Sequence, residues 1–518
     1  MVTSFNCSAE AFHNKGLHAV VAAIFAGSLL TLVGCGGGGG GNDFRASASS
    51  NYTPGVFAAS ADFKSQCSSA TMQNNWLRSW TNETYLWYSE VPDLNPGNYS
   101  TPDYFELMKS AALTGSGNDK DRFHFTYPTD VWLALSQSGV SAGYGAEFVV
   151  FQSRPPRDII VGYVQPGSPA AAAGVGRGDR VLSVDGADAI NGNTQAIVDA
   201  LNGGLFPDDV NEVHQLTLRN NAGATATITL RSASVTLAPV PTVMTIPTDT
   251  GPVGYMLFND HIATAEAALI NAINSLKAGN VTDLILDIRY NGGGYLAIAS
   301  ELAYMIAGPA QTTGLVFENL VFNDKNPTTN PITGAPLTPT PFLSTTQFAS
   351  GTPQQLPTLN LGRVYVLTGA GTCSASESIM NGLRGVNVDV IQIGGTTCGK
   401  PYGFYPADNC GTTYFSIQFK GVNAAGFGDY ADGFSPVNTL TTPGELLPGC
   451  SVRDDFLHEL GDLSEGRLVA ALNHRATGTC PAAPSGPVRL SKPGASTDSF
   501  DGYMVKSPLR ENRILLGE

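Results

Sequence analysis

Residues 363–385 read RVYVLTGAGTCSASESIMNGLRG. An apolar run typical of a buried strand leads into a turn of small residues, and a helical stretch follows. Ser374 and Glu377 form the S-x-x-E pattern that caps many helix N-termini. Amide groups at a helix start point outward, and the helix dipole favours negative charge there. Ser374 is therefore either a helix cap or a nucleophile placed on one.

Two further strand-like runs flank this stretch in the chain. DLILDI (residues 283–288) is followed by the glycine turn RYNGGGY and a helical run, and VDVIQIGG (residues 388–395) runs into GGTTCGKPYG. Strands that alternate with helices indicate a largely parallel sheet. Because the carboxyl ends of parallel strands meet in one crevice, we expect the serine turn and the glycine turn to face a common site.

A serine nucleophile needs a base, and Lys400 is the better candidate. His261, in FNDHIATAEA, lies at the entry of a helical run and is predicted to be a cap or a surface residue. Lys400 follows the third strand in a stretch with almost no other charge. A lysine side chain has a pKa of about 10.4 in water, and burial in an apolar site lowers it. The neutral amine can then accept the serine proton.

Three blocks carry a family resemblance: DLILDIRYNGGGYL, VYVLTGAGTCSASESI and GGTTCGKPYG. Together they resemble the C-terminal processing peptidases, or tail-specific proteases, which are Ser/Lys serine endopeptidases. The resemblance covers roughly residues 67–475. It implies a multidomain α+β protein with an N-terminal helical domain, a PDZ β-sandwich or barrel, and an α/β (crotonase/ClpP-like) protease core.

The resemblance also implies roles for individual residues. Ser374 is the nucleophile and Lys400 the general base. The backbone amides of Ala375 and Gly293 form the oxyanion hole, with the glycines on either side of Gly293 as alternatives. Asp287 and Arg289 form a structural pair beneath the glycine turn.

This chain departs from the family pattern next to the lysine. Many members carry Gln four positions after it, whereas this chain has Phe404. Gln418, on the following strand, is the candidate substitute for orienting the lysine. Cys373 and Cys398 flank the catalytic pair, so they could bridge to each other, or Cys398 could bridge to Cys410.

Residues from about 138 to 235 contain short β-like runs that resemble a PDZ domain, notably GYGAEFVVF and GSPAAAAGVGRGDRVLSVDG. Gly143, Tyr144, Gly145 and Ala146 stand where PDZ domains have their carboxylate-binding loop. The resemblance implies capture of a protein C-terminus as an added strand. The alternative is a PDZ domain that only packs against its neighbours and whose groove is blocked.

The N-terminus indicates export. Residues 16–35, GLHAVVAAIFAGSLLTLVGC, are typical of a signal peptide, and their last four residues resemble the bacterial lipoprotein box. The resemblance implies cleavage before Cys35 and lipidation of its thiol, which would anchor the protein to a membrane of the bacterial cell envelope. Ordinary secretion is the alternative. A Gly-rich tether follows.

Composition narrows the function further. Charged residues are 14% of the chain and the net charge is −15, without a basic block, so nucleic-acid binding is not expected. The six cysteines after the leader predict disulfides, which allow 15 pairings. There is no C-x-x-C pair and the histidines are scattered, so we expect neither a metal site nor a cofactor.

These observations give an expected domain order and function. The order is a leader (1–35), a linker (36–62), a helical domain (63–137), a PDZ domain (138–238), the peptidase core (239–480, with an insertion at about 309–357) and a tail (481–518). The expected function is an envelope endopeptidase that binds protein C-termini. A non-catalytic binding protein on the same fold is the alternative, and an esterase or amidase is a lesser one.

Overall fold

The computed structural model describes residues 52–152, 154–440 and 444–484, and the backbone of residues 513–514. The predicted leader with Cys35 lies outside these residues, as do residues 36–51 of the predicted linker and nearly all of the predicted tail. None of the helices within the described ranges is both long enough and apolar enough to span a bilayer.

The N-terminal region is mainly helical, as expected, but it also contributes a strand to the core. Its elements are α1 (Ala70–Thr84), α2 (Thr101–Glu106), β1 (Phe125–Pro128) and α3 (Thr129–Ser138), with 3-10 turns at Ser60–Asp62, Tyr88–Glu90 and Pro96–Asn98. Helix α1 begins after Ser69, whose hydroxyl accepts the Met72 amide. Trp76 and Trp80 stack at 5.0 Å on its buried face. They pack on Tyr414 of the core.

The predicted PDZ region forms an antiparallel sheet with two helices. Its elements are β2 (Val140–Gly143), β3 (Ala146–Gln152), β4 (Asp158–Val164), α4 (Pro169–Ala172), β5 (Arg180–Val184), β6 (Ala187–Asp188), α5 (Gln195–Leu205), β7 (Val213–Arg219), β8 (Thr225–Arg231) and β9 (Ala233–Thr236). The sheet order is β3-β4-β5-β7-β8, with β6 on β5, and β2 pairs separately with β9. Strand β3 therefore lies at an edge of the sheet.

The C-terminal region is the α/β core. Its elements are β10 (Thr242–Ile246), β11 (Val253–Leu257), α6 (Ala265–Ala278), β12 (Asp283–Asp287), β13 (Gly294–Tyr295), α7 (Leu296–Ala307), α8 (Pro309–Thr312), β14 (Val316–Val321), β15 (Thr340–Pro341), β16 (Arg363–Thr368), α9 (Ala375–Gly385), β17 (Asp389–Gly394), β18 (Tyr402–Gly403), β19 (Ala407–Asn409), β20 (Thr412–Phe415), β21 (Phe419–Val422), β22 (Phe434–Pro436), β23 (Glu445–Leu447), β24 (Gly449–Ser451), α10 (Gly466–Thr477) and β25 (Arg513–Ile514).

The central sheet has the order β10-β11-β12-β16-β17-β24, and all its pairs are parallel except β10 with β11. Leu284 and Leu286 of β12 belong to the apolar cluster that contains α6, α7 and α9. Ile285 belongs to the opposite cluster, with Leu468 of α10. Because both faces are covered, every residue of β12 is buried, which explains why DLILD reads as a continuous apolar run. The predicted parallel sheet is confirmed.

The insertion predicted at 309–357 is part of the structure around the site. Strand β14 pairs with β15 and with β21, and β21 pairs with β18, which follows Lys400. Strand β1 pairs with β20, which also pairs with β19. The insertion and the N-terminal region thus reach the segment that carries the lysine.

The described cysteines form three disulfides, Cys67–Cys410, Cys373–Cys398 and Cys450–Cys480. The bridge between the two cysteines that flank the catalytic candidates is therefore present. The alternative pairing of Cys398 with Cys410 is wrong, because Cys410 is bonded to the N-terminal region.

Candidate active site

Ser374 lies between β16 and α9, at the first of the two predicted turns. Its backbone has φ 60° and ψ −114°, a conformation that non-glycine residues seldom adopt and that is often found at functional sites. Its side chain is fully buried, and its Oγ has no hydrogen-bond partner in the described part of the chain. The Ser374 amide donates to the Glu377 carboxylate at 3.0 Å, which is the contact that the S-x-x-E pattern predicts.

Lys400 is also fully buried, and two aromatic rings lie against its amine. Nζ lies 4.6 Å from the ring centre of Phe123 and 4.7 Å from that of Phe404. Phe404, where many family members have Gln, is thus one wall of the lysine site. Phe123 comes from the N-terminal region, and sequence reasoning missed it. The side-chain oxygen of Gln418 accepts the Tyr405 amide at 2.9 Å, and its role in orienting the lysine stays a prediction.

Glu377 joins the serine turn to the lysine turn. Its carboxylate accepts the amides of Ser374 (3.0 Å), Gly399 (2.8 Å) and Lys400 (2.8 Å) and the hydroxyl of Thr397. Burial raises the pKa of Glu377, while these hydrogen bonds act in the opposite direction. The Cys373–Cys398 disulfide links the same two turns covalently. The sequence had suggested only a capping role for this glutamate.

The glycine turn lies on the other side of the serine turn. Gly293 and Gly294 have φ of 99° and 139°, which explains the choice of glycine there. The backbone oxygen of Asn291 accepts the Cys373 amide at 3.1 Å and the Ser376 hydroxyl at 2.9 Å, so the two predicted turns do meet.

The oxyanion-hole candidates differ in how they are placed. Ala375 is the first residue of α9, where the initial amides have no partner within the helix. The Gly293 amide instead donates to the Asn291 side-chain oxygen at 3.0 Å. Gly293 can serve as predicted only if that hydrogen bond opens, and the amides of Gly292 and Gly294 remain the predicted alternatives.

A buried ion cluster lies beneath the glycine turn. Arg289 forms the predicted pair with Asp287 (2.8 Å) and also contacts Glu465 (2.7 Å) and Asp454 (2.7 Å). Burial acts to raise the pKa of Asp454, but the guanidinium groups of Arg467, Arg289 and Arg177 hold it well below its usual range.

Arg177 connects the PDZ region to this cluster. Its guanidinium donates to Asp454 and to the hydroxyl of Tyr290, both at 2.7 Å. Tyr290 immediately precedes Asn291 of the glycine turn. A displacement of the PDZ region would therefore act directly on the residues that support the glycine turn.

The predicted carboxylate-binding loop spans the gap between β2, which ends at Gly143, and β3, which begins at Ala146. Tyr144 is buried, and its hydroxyl donates to the Gly204 carbonyl of α5 at 3.2 Å. Gly145 has φ +74°, and a Cβ there would lie 2.4 Å from the Ser168 Cβ. Tyr144 thus anchors the loop in the domain core, and Gly145 allows its close approach to Ser168.

The insertion is held beside the glycine turn by Glu266 of α6. This carboxylate accepts the amides of Gln347, Phe348 (2.9 Å) and Ala349 (2.8 Å). The Phe348 ring then lies 5.0 Å from that of Tyr295, which follows the glycines. Glu301 of α7 is completely buried nearby, and burial together with the Glu266 carboxylate raises its pKa to about 9.

Glu301→Gln is expected to stabilise the protein in alkaline solution. Glu301 has a pKa of about 9 in the folded chain, whereas in the unfolded chain its pKa is the ordinary glutamate value of 4.5. The wild type therefore loses stability relative to the variant as pH rises from about 4.5 to 9, by at most about 1.4 kcal/mol per pH unit. Urea unfolding of both proteins at pH 5 and pH 8.5 measures the difference. A difference that is the same at both pH values would contradict this reading.

Comparison with known proteins agrees with this architecture. Residues 252–403 match the family model of peptidase family S41, residues 160–207 match the PDZ domain, and residues 72–125 match the S41 peptidase N-terminal domain. The fold and its site thus define a multidomain protein with an S41 peptidase core and a PDZ domain. Residues 252–403 are thus similar to peptidase family S41, and the flanking matches are to the domains that precede its core.

Individual relatives are distant. A carboxyl-terminal-processing protease of Picosynechococcus sp. is 26% identical over 52% of this chain and 56% of its own length. The chloroplastic carboxyl-terminal-processing peptidase 2 of Arabidopsis thaliana is 28% identical over 33% of this chain and 32% of its own. The chain thus spans about half or less of the relatives it matches. A crystal structure assigned as an S41 protease, from Bacteroides fragilis, shares the fold (TM-score 0.51, 23% identity, 78% of this chain and 97% of that one).

Proposed function

We propose that this chain is a serine endopeptidase in which Ser374 and Lys400 form the catalytic pair. The observation that carries the proposal is the joint placement of these residues. A buried serine with a strained backbone starts a helix, a buried lysine follows the next strand, and Glu377 and a disulfide hold their turns together.

The proposed reaction has two halves. Ser374 Oγ attacks the carbonyl carbon of the scissile bond while the neutral amine of Lys400 takes its proton. Lys400 then gives that proton to the departing amine, which leaves an acyl-enzyme. Water attacks the ester, Lys400 accepts a proton from it and returns one to Ser374, and the carboxylate product is released. The first step needs the neutral form of the amine, since only that form can accept the serine proton.

Backbone amides supply the proposed oxyanion stabilisation. Ala375 contributes from the start of α9, and the glycine turn contributes the second donor. Strand β13, beside this turn, accepts extended backbone, since β25 pairs with it in parallel at Gly294 and Tyr295. A substrate strand could use the same edge. Ser374 is buried in this structure, so the segments that cover it must open before a peptide can react.

We further propose that substrates are selected by their C-terminal carboxylate, bound at residues 143–146 of the PDZ domain. The edge position of β3, directly after this loop, supports addition of the peptide as a further strand. The leader sequence supports a lipid anchor at Cys35 in a bacterial envelope. Incorporation of labelled palmitate that depends on Cys35 would test the anchor.

An unstructured peptide with an apolar, free C-terminus is expected to be cleaved, whereas its C-terminal amide is expected to have a KM about 10-fold higher or more, because it lacks the charged acceptor. Mass spectrometry of the products measures both. Gly145→Ala is expected to remove the preference through contact with Ser168, and Gly176→Ala, whose Cβ meets nothing within 4 Å, is the matched control. Equal KM values for acid and amide would exclude this mode of selection while leaving the catalytic assignment open to its own test.

A further inference from the structure

His261 is not the cap or surface residue that the sequence suggested. It is 1% exposed and lies against the glycine turn. Its amide donates to the Gly293 carbonyl at 3.3 Å, and its carbonyl accepts the Tyr295 amide at 2.8 Å. A Cβ on Gly294 would lie 2.4 Å from the His261 carbonyl oxygen. The backbone of residue 261 is thus fitted closely to the turn.

The imidazole makes a separate contact with Asn291. His261 Nδ1 lies 2.9 Å from the Asn291 side-chain oxygen, which also accepts the Gly293 amide. The Asn291 side-chain nitrogen donates to the Phe258 carbonyl at 3.0 Å, so the amide orientation is fixed. Since the Asn291 oxygen can only accept, Nδ1 of His261 must carry the hydrogen.

Asn291 connects the glycine turn to the serine turn by hydrogen bonds. Its side-chain oxygen holds the Gly293 amide, and its backbone oxygen holds the Cys373 amide and the Ser376 hydroxyl. A rotation of its side chain would therefore change where the glycine amides stand relative to Ser374. Within the described ranges, His261 and Gly293 donate to that side-chain oxygen.

We propose that His261 is a positioning residue for the oxyanion hole. Its Nδ1–H holds the Asn291 side chain, and Asn291 holds the Gly293 amide. This fixes the glycine turn so that the neighbouring amide of Gly292 or Gly294 is directed as the second oxyanion donor. This inference rests on the proposed function of Ser374 and the glycine turn. The imidazole acts as a neutral donor, because burial lowers the pKa of His261 to about 3. It takes no proton from Ser374 and adds no step to the reaction.

Two substitutions separate the Nδ1 donor from the rest of the ring. His261→Asn keeps an N–H at the same number of bonds from Cβ as Nδ1, and His261→Gln moves it one bond further out. We expect His261→Gln and His261→Ala to lower kcat on the order of 10-fold to 100-fold with KM within about 2-fold, because a displaced oxyanion donor costs transition-state stabilisation. His261→Asn should recover kcat to within about 3-fold of the wild type.

The experiment combines peptide cleavage, the rate of fluorophosphonate labelling at Ser374 and thermal unfolding of each variant. His474→Gln, on α10, is the control for loss of a histidine. Wild-type kcat in a folded His261→Gln, or equal defects in folded His261→Asn and His261→Gln, would overturn the proposal. If His261→Ala does not fold, the Asn and Gln variants decide the matter. If neither of them folds, His261 is a structural residue and the proposal fails. Absence of labelling in the wild type would instead refute the proposed role of Ser374.

Discussion

Ser374→Ala is expected to lower kcat/KM for peptide cleavage on the order of 10⁴-fold or more, and Lys400→Ala is expected to have a similar effect. The serine supplies the only atom that is proposed to form the acyl-enzyme, and without the amine its proton has no acceptor. Because the two residues act as a unit, the double variant should be no worse than either single variant. Steady-state cleavage of the free-acid peptide measures all three.

Two positions on the exposed face of α6, Ser275→Ala and Lys277→Ala, are the matched controls and should leave kcat/KM unchanged. Multiplicative effects of the two active-site substitutions would show that they do not work as a pair. Cleavage that survives in both single variants would refute the catalytic assignment. The alternative, a non-catalytic peptide-binding protein on the same fold, would then be favoured.

Arg289→Ala is expected to destabilise the folded protein by about 3–5 kcal/mol. The substitution leaves Asp287, Glu465 and Asp454 buried and removes from each of them a guanidinium at 2.7–2.8 Å. Uncompensated buried charge is costly, since neither water nor another cation can replace the lost contacts in full. Arg177 and Arg467 still face Asp454, so Asp287 and Glu465 bear most of the loss. Urea unfolding at pH 7 measures the effect.

Arg363→Ala is the matched control on the neighbouring strand. Arg363 also pairs with a carboxylate, Asp283, at 2.8 Å, but its side chain is 41% exposed and Asp283 keeps a second partner in Arg475. Exposed pairs contribute about 0–1 kcal/mol, so little change is expected. Equal effects of the two substitutions would mean that the cluster under the glycine turn contributes no more to stability than a surface ion pair does.

The features that the sequence predicts best are local ones, which depend on residues close together in the chain. The apolar run in β12, the glycines with positive φ and the turn before α9 each follow from local patterns, and they led to Ser374 and to the parallel sheet. The resemblance of three sequence blocks to the C-terminal processing peptidases then led to Lys400 and to the Asp287–Arg289 pair.

Contacts between distant segments could not be read in the same way. Phe123 meets Lys400 across 277 positions only because the N-terminal region packs on the core. His261 looked like a helix-entry residue, and nothing local shows that the glycine turn would bury it. The disulfide partners were likewise left open, because pairing depends on which loops the fold brings together. The structure shows what occupies the position of the family's Gln. The Phe404 ring packs against the Lys400 amine there.

Peptide mapping by mass spectrometry after reaction of the wild-type protein with a fluorophosphonate tests the central claim most directly. The account predicts one adduct, on Ser374, and much slower labelling in Lys400→Ala, because an unassisted hydroxyl is a weak nucleophile. A protein that cleaves peptide but carries no adduct on Ser374, or carries it on another residue, would contradict the account.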